Sequence, residues 1–152
     1  MNQLYFIPET EKGELQNWLA GRTDVAGVLQ TEELGKRYFR DVRTGNQIEL
    51  TAGPKEKKTF NRGAEKLSAM AYETVADWLT EAPENPEIKW LVIDGIGHLE
   101  LRKEGLHLLM ENMVLGALPG VNVVLVIADE VVEKVLKRYQ LKSRAQQFGF
   151  GQ

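Results

Sequence analysis

Two short segments of the sequence contain side chains that could do chemistry. The segment from Pro8 to Leu15 is acidic, and the segment from Asp94 to Leu101 adds His98 and Glu100 to its leading carboxylate. Carboxylates and a histidine could bind a metal ion or transfer protons. The simpler interpretation is structural, because acidic residues stabilise the N-terminus of a helix and an Asp-Gly pair is typical of a turn.

The surrounding elements predict where these two segments lie. Continuous apolar runs predict strands at Leu4–Ile7, Trp90–Ile93 and Val121–Ala128, each followed by an amphipathic helix. This order is typical of an α/β three-layer sandwich with a mainly parallel sheet. Alternating residues from Lys36 to Leu50 predict an antiparallel β-hairpin that extends the sheet. Ligands of such sheets bind beyond the carboxyl ends of the strands, so both segments should lie at that edge.

The rest of the chain predicts one domain and a tail. We expect a single domain over residues 1–141 and a polar, Gly-rich, mobile tail over residues 142–152. A helix with Leu67 and Met70 on its apolar face should precede the strand that begins at Trp90.

The basic side chains are expected to be solvated rather than to bind phosphate. The stretch from Thr51 to Thr59 contains three lysines, but Glu56 interrupts them and no aromatic residue lies between them, so an exposed loop is predicted. Arg37 and Arg40 lie on the predicted hairpin, where arginines are more often solvated than phosphate clamps.

The octet Asp94-Gly95-Ile96-Gly97-His98-Leu99-Glu100-Leu101 resembles the Asp-Glu-Ile-Gly-Pro-Leu/Met-Glu-Leu signature of the thermophile-type P-loop nucleoside triphosphatases. The stretch Val25–Glu32 is similar to that family's Gly-x-x-x-Thr-x-Glu segment. Gly35–Phe39 is similar to its Gly-x-Arg-x-Gly-Phe turn with one residue dropped, and Thr44–Leu50 fits the hairpin that follows. The resemblance extends over roughly residues 4 to 141 in the family's order. It implies a sheet of the P-loop nucleoside-triphosphatase type.

The resemblance also implies a nucleotide-binding loop, from which this sequence departs. The family carries Gly-x4-Gly-Lys-[Ser/Thr] between the first strand and the first helix; backbone N–H groups and the lysine hold the phosphates, and the hydroxyl holds Mg²⁺. This chain has Pro8, Gly13, Glu14 and Leu15 at those positions. A carboxylate in place of the lysine costs on the order of 4 kcal/mol per charge pair close to a phosphate. We therefore expect these nucleotide-binding positions to be inactive.

The second segment departs from the family as well. There the aspartate at the strand end holds Mg²⁺ through water, and the next glutamate polarises the attacking water. Asp94 keeps the first position and is the one remaining Mg²⁺ candidate, whereas Gly95 removes the second group. Without a metal, we expect Asp94 to be an electrostatic liability, so that Asp94→Asn is neutral or stabilising near pH 7. His98 and Glu100 remain as an alternative site.

Composition limits the partners and the localisation. The chain has 152 residues, a net charge of −3 and no cysteine, which leaves no reason to expect nucleic acid or an anionic membrane as a partner and excludes disulfides and thiolate metal sites. The first residues lack a signal-peptide pattern, and no run approaches the ~20 apolar residues of a membrane span. We expect a cytoplasmic protein.

Three functions remain open from the sequence. The leading hypothesis is a non-catalytic protein of P-loop fold, without a cofactor, that acts as a macromolecular interaction or regulatory module. Its partner would be another protein, with an intact P-loop paralogue and a second copy of the chain as candidates. One alternative is a nucleoside triphosphatase with a divergent active site that uses Mg²⁺ with ATP or GTP. The other is a sensor that binds a small ligand without hydrolysing it.

Overall fold

The computed structural model describes residues 3–115 and 120–150, in which strands and helices alternate. The strands of this part are β1 (Leu4–Pro8), β2 (Val25–Glu33), β3 (Lys36–Asp41), β4 (Gln47–Glu49), β5 (Thr59–Arg62), β6 (Glu65–Ser68), β7 (Trp90–Ile96), β8 (Asn122–Ile127) and β9 (Ala145–Gln147). The α-helices are α1 (Lys12–Leu19), α2 (Ala69–Glu81), α3 (His98–Leu101), α4 (His107–Leu115) and α5 (Val132–Arg138).

Within the described residues, seven strands form one sheet in the order β4-β3-β2-β7-β8-β1-β9. The pairs from β2 to β9 are parallel, and β3 and β4 extend the sheet in antiparallel orientation. Leu91, Val92 and Ile93 of β7 are fully buried, because both faces of the sheet are covered. The predicted α/β class, with its mainly parallel sheet and hairpin extension, is confirmed.

The two faces of the sheet have separate cores. On one face, Leu15 of α1 belongs to the same buried cluster as Ile7 of β1 and Val126 of β8. On the other, residues of α2, α4 and α5 form a larger cluster with the opposite side chains of the strands. Close approach of β2 to β7 requires a glycine: Gly27 has a φ of +132°, and a Cβ there would lie 2.0 Å from the Val92 carbonyl oxygen.

The segment before α2 differs from the prediction. Residues 59–68 form the separate antiparallel hairpin β5–β6, and Leu67 belongs to β6 rather than to the helix. The helix begins at Ala69, because the Ser68 hydroxyl accepts a hydrogen bond from the Ala71 N–H at 3.2 Å and caps it. Met70, expected on the apolar face, is exposed.

The C-terminal segment also differs from the prediction of a tail apart from the domain at residues 142–152. Ala145–Gln147 pair with Leu4–Phe6 as the edge strand β9, and Phe148 is buried. The Phe148 ring contacts Tyr5, Trp18 and Trp90 with centroids 5.2 to 5.4 Å apart. The mostly polar composition of the segment did not indicate that the Phe148 side chain packs into one of the two cores. Residues 151 and 152 lie outside the described part.

None of the helices in residues 3–115 and 120–150 is long and apolar enough to cross a membrane. The longest of them, α2, has 13 residues, whereas a span needs about 20.

Candidate functional site

The two segments singled out in the sequence lie on either side of β8, at the carboxyl edge of the sheet. Pro8 of β1 and Ile96 of β7 both stand opposite Ile127 of β8. Neighbouring strands are about 4.8 Å apart, so the two strand ends are about two strand spacings from each other. This is the edge at which α/β sheets bind ligands.

The first segment folds as a helix rather than as an open loop. Pro8 is extended, residues Glu9–Glu11 form a 3₁₀ turn and α1 follows directly. The Thr10 N–H donates a hydrogen bond to Asp129 Oδ1 at 3.0 Å, so a carboxylate of the chain itself takes this donor. An added Cβ at Gly13 would meet nothing within 4 Å, which means that no close backbone approach requires this glycine.

Two of the departures from the family have evident structural consequences. Leu15 is fully buried and belongs to the core under α1, so the position of the metal-binding hydroxyl now contributes to packing. Glu14 is exposed in the first turn of α1, where a carboxylate stabilises the helix dipole.

Asp94 has two partners, and the expectation that it would lack compensation is wrong. The residue is 2% exposed, and its Oδ2 accepts a hydrogen bond from the Gln30 N–H at 2.8 Å. The Lys12 ammonium lies 2.5 Å from the same oxygen and also donates to the Gln30 carbonyl at 2.5 Å. Lys12 is the single basic residue of the acidic segment, and it lies one residue before Gly13. Its charge compensates Asp94 from within the chain.

The Gln30 side chain leaves no room for a side chain at position 95, where the chain has Gly95. Its φ is +91°, a conformation that L-residues rarely adopt, and a Cβ there would lie 2.1 Å from Gln30 Nε2. The Gln30 amide approaches the Tyr72 hydroxyl, but its nitrogen is buried and makes no hydrogen bond of acceptable geometry within the described residues. Gln30 thus covers the place where the family has its catalytic glutamate.

These residues do not fit a magnesium nucleotide. Asp94 is already paired with an ammonium, and the positions expected to supply lysine and hydroxyl hold Glu14 and the buried Leu15. Across residues 3–115 and 120–150, no cluster of three or more His, Asp or Glu side chains is placed to hold a metal ion.

A cleft of about 300 Å³ opens beside this closed site, over the ends of β2, β7 and β8. Its wall includes Arg37 of β3 and Arg62 of β5, and Tyr72 of α2 is buried in its lining. The full lining comprises Glu9, Gln30, Arg37, Arg62, Tyr72, Asp94, Gly95, Ile96, Gly97, His98, Leu99, Val126, Ala128 and Glu130.

The two arginines of the cleft share one carboxylate. Arg37 Nε donates to Glu65 at 2.8 and 3.1 Å, and Arg62 lies 3.5 Å from the same carboxylate. The hydrogen bond from Arg37 is the main reason why the pKa of Glu65 lies below its ordinary value. Desolvation lowers the pKa of Arg37, but Glu65, Glu32 and Glu9 outweigh it and leave the pKa raised. Arg37 is therefore half-buried in a cleft, not solvated on a hairpin as its position in the sequence suggested.

His98 and Glu100, the alternative site, have separate partners. His98 Nε2 lies 3.0 Å from Glu130 Oε1 in an exposed pair at the rim of the cleft. Glu100 is 1% exposed, and its two oxygens accept hydrogen bonds from the N–H groups of Gly97 at 2.7 Å and Leu106 at 2.9 Å. Burial raises the pKa of Glu100 to about 7, although both N–H donors favour its ionised form. Glu100 holds α3 in place, while the nearby Arg102 pairs with Glu104.

Only some residues of this site could have been identified from the sequence. Lys12 could have been found, because a lone cation among carboxylates often has a buried acidic partner. Gln30, Arg62 and Asp129 carry no such signal, since their roles depend on which strand ends and hairpins meet in the fold.

The comparisons with known proteins establish the fold. No protein-family profile matches the chain, and no curated protein sequence matches it significantly. The fold is similar to that of THEP1 from the hyperthermophile Aquifex aeolicus, whose crystal structure aligns with a TM-score of 0.64. The sequences are 17% identical, and the alignment covers 99% of this chain and 90% of that one. At this identity the likeness shows the P-loop nucleoside-triphosphatase fold alone.

Proposed function

We propose that this chain is a non-hydrolysing protein of the P-loop nucleoside-triphosphatase fold that acts as a macromolecular interaction or regulatory module. The observation that carries the proposal is the pairing of Asp94 with Lys12 and with the Gln30 N–H, all within the chain. A nucleotide-bound Mg²⁺ would have to displace this ammonium and would then find no lysine or hydroxyl at the positions of Glu14 and Leu15.

Charge around the first helix supports the same proposal. Asp129 occupies the Thr10 N–H, and Glu9, Glu11 and Glu14 surround the turn where phosphates would lie. Each carboxylate within about 4 Å of a phosphate oxygen opposes binding by on the order of 4 kcal/mol at an effective dielectric near 20. Binding would therefore have to overcome repulsion that the intact loop does not have.

The partner that we propose is another protein. The sheet and both cores are complete although the nucleotide positions are altered, which favours a role for the surface. An intact P-loop paralogue and a second copy of this chain are the candidates, and a cytoplasmic location suits both. Sedimentation of the chain alone, and of the chain mixed with an intact paralogue, measures these two associations directly.

Nucleotide titrations test the central proposal. We expect thermal unfolding and calorimetry to show no effect of Mg²⁺-ATP or Mg²⁺-GTP, with an intact P-loop nucleoside triphosphatase as the positive control. Micromolar, Mg²⁺-dependent binding without release of phosphate would instead support a nucleotide sensor. Binding with release of phosphate would support a divergent enzyme, and either result would overturn the proposal.

A further inference from the structure

The cleft beside the closed nucleotide position has walls of opposite charge. Arg37 and Arg62 lie on the wall formed by β3 and the β5–β6 hairpin, whereas Glu9 and Glu130 follow β1 and β8. In the order of the sheet, β3 and β1 are four strand spacings apart, or about 19 Å between backbones. Long side chains reach inward from both sides, so a ligand between them meets positive charge at one end and negative charge at the other.

The basic wall has charge left for a ligand. The two guanidinium groups share the carboxylate of Glu65, and Glu32 also lies near Arg37, but neither carboxylate lines the cleft, so the charged groups that face a ligand on this wall are the two arginines. Both arginine side chains are partly buried, 31% and 28% exposed, so water screens them less than it screens surface arginines. A guanidinium is the side chain best suited to hold a carboxylate in a fixed geometry.

The acidic wall is formed by Glu9 and Glu130. Glu130 is ionised, because its own backbone N–H and His98 hydrogen-bond to it and keep its pKa below the ordinary value. Glu9 lines the cleft and has no hydrogen bond or close ion pair within the described residues, although its charge also contributes to the raised pKa of Arg37 on the opposite wall. A cation that enters from this side meets two carboxylates.

The floor adds no uncompensated charge. The Tyr72 hydroxyl stays protonated, because burial raises its pKa, and Gln30 Nε2 is buried close to it rather than exposed to the cleft. The Asp94 charge below the cleft is compensated by Lys12 and does not attract a cation of its own. The volume of about 300 Å³ suits a molecule of the size of a small amino acid or a slightly longer one.

We propose that this cleft binds a small zwitterion, with its carboxylate against Arg37 and Arg62 and its ammonium group against Glu9 and Glu130. The inference goes beyond the proposed function and does not depend on it, because the four charged groups that it uses are not among the nucleotide-binding positions. A ligand of this kind would link the separate β5–β6 hairpin to the ends of β1 and β8, and so give the module a small-molecule input.

Titration with three molecules of one carbon skeleton tests the charge pattern. The zwitterion γ-aminobutyrate, the anion butyrate and the cation n-butylamine are added to the full chain, and amide NMR shifts are followed. We expect γ-aminobutyrate to shift the amides of Gly95, Gly97 and Gln30 in a saturable manner, and to bind at least about tenfold more tightly than either singly charged analogue.

Matched variants show whether the two walls are responsible. Arg62→Gln and Glu9→Gln should each weaken γ-aminobutyrate binding at least about tenfold. Arg40→Gln changes the same charge on the opposite face of β3, and Glu14→Gln changes the same charge outside the cleft, so both should leave the affinity unchanged. Far-ultraviolet circular dichroism identifies any variant that fails to fold, in which case Arg37→Gln or Glu130→Gln replaces it.

Four outcomes would overturn the proposal. They are the absence of saturable shifts, equal binding of butyrate, equal binding of n-butylamine, and equal losses in the cleft and control variants. Hydrolysis of Mg²⁺-ATP would overturn the proposed function and leave these titrations unaffected, so the two failures can be told apart.

Discussion

At the scale of single residues, the contacts of Gln30 and Lys12 determine which groups of the site are free to bind a ligand. The backbone of Gln30 donates to Asp94 and accepts from Lys12, while its side chain lies over Gly95. One residue thus occupies the groups that a metal and an attacking water would need. Replacing either Gln30 or Lys12 therefore leaves the contacts of the other residue in place.

Removal of Lys12 should destabilise the protein, because a buried carboxylate then lacks its cation. We expect Lys12→Met to lower the free energy of unfolding by about 2–3 kcal/mol, since Asp94 is nearly inaccessible to water. The same reasoning corrects the sequence-based expectation for Asp94→Asn, which should now lose stability at pH 7. Urea unfolding measures both changes.

A double-mutant cycle separates this coupling from loss of packing. Lys12→Met with Asp94→Asn should cost less than the sum of the single changes. Lys36→Met is the matched control, because the Lys36 side chain is exposed and its partner Glu49 is only partly buried, and it should cost no more than about 0.5 kcal/mol. Additive losses in the cycle would show that the two side chains do not stabilise each other.

Glu100 should make stability depend on pH. Its pKa rises from 4.5 in the unfolded chain to about 7 in the folded protein, so the folded state binds more protons between these values. Stability is therefore greatest while Glu100 is protonated and falls as pH rises from 4.5 through 7, by roughly 3 kcal/mol.

Urea unfolding of the wild type and Glu100→Gln at several pH values isolates this effect. The variant lacks the titrating group, so the difference in unfolding free energy between the two proteins should change across this range. A constant difference would mean that Glu100 has the same pKa in the folded protein as in the unfolded chain.

At the scale of elements, prediction succeeded where the apolar pattern is continuous. The runs at Leu4–Ile7 and Trp90–Ile93 are strands, because a strand buried on both faces must be apolar throughout. The hairpin β5–β6 and the edge strand β9 were not predicted, because short, half-exposed strands have mixed composition. The hydrogen bond between Gln30 and Asp94 could not be predicted, since it joins residues 64 positions apart through the strand order.

The docking of β9 gives a prediction for the C-terminal segment. Phe148 is 3% exposed and packs edge-on against Tyr5, Trp18 and Trp90. Phe148→Ala should therefore lower the free energy of unfolding by about 3–4 kcal/mol, the usual cost of a cavity left by a buried phenylalanine.

Phe150→Ala is the matched control for this change. Phe150 contacts the Phe148 ring but is only partly buried, so it should cost less than half as much in the same denaturant experiment. Equal and small losses in both variants would show that residues 145–150 contribute little to the domain, as a tail apart from it would.

At the scale of the whole molecule, the fold and the nucleotide positions are independent of each other. The two cores lie on the faces of the sheet, whereas the altered positions lie at its carboxyl edge. The P-loop fold is therefore kept although the residues at these positions differ from the family's signature. Leu15 is the exception, since it now belongs to the core.

Restoring the family's residues should therefore not restore activity. The variant with Pro8→Gly, Glu14→Lys, Leu15→Thr and Gly95→Glu places a hydroxyl in the core and a long side chain where Gln30 lies, at a φ of +91°. The buried threonine costs about 2 kcal/mol and the strained glutamate at least about 2 kcal/mol, a large share of a typical stability of 5–15 kcal/mol.

Partial restoration separates failure to fold from failure to bind. Pro8→Gly with Glu14→Lys changes only a strand end and an exposed helical position, so this variant should fold with a melting temperature close to that of the wild type. It should still bind no Mg²⁺-ATP, because Lys12 continues to hold Asp94 and Leu15 offers no metal ligand.

Adding Lys12→Ala frees Asp94 but leaves Gln30 over Gly95, so we expect no release of phosphate from this triple variant either. Calorimetry and a phosphate-release assay measure the two steps separately. Turnover by the double variant would mean that the pair of Lys12 and Asp94 opens readily and that Pro8 and Glu14 alone prevent activity in the wild type.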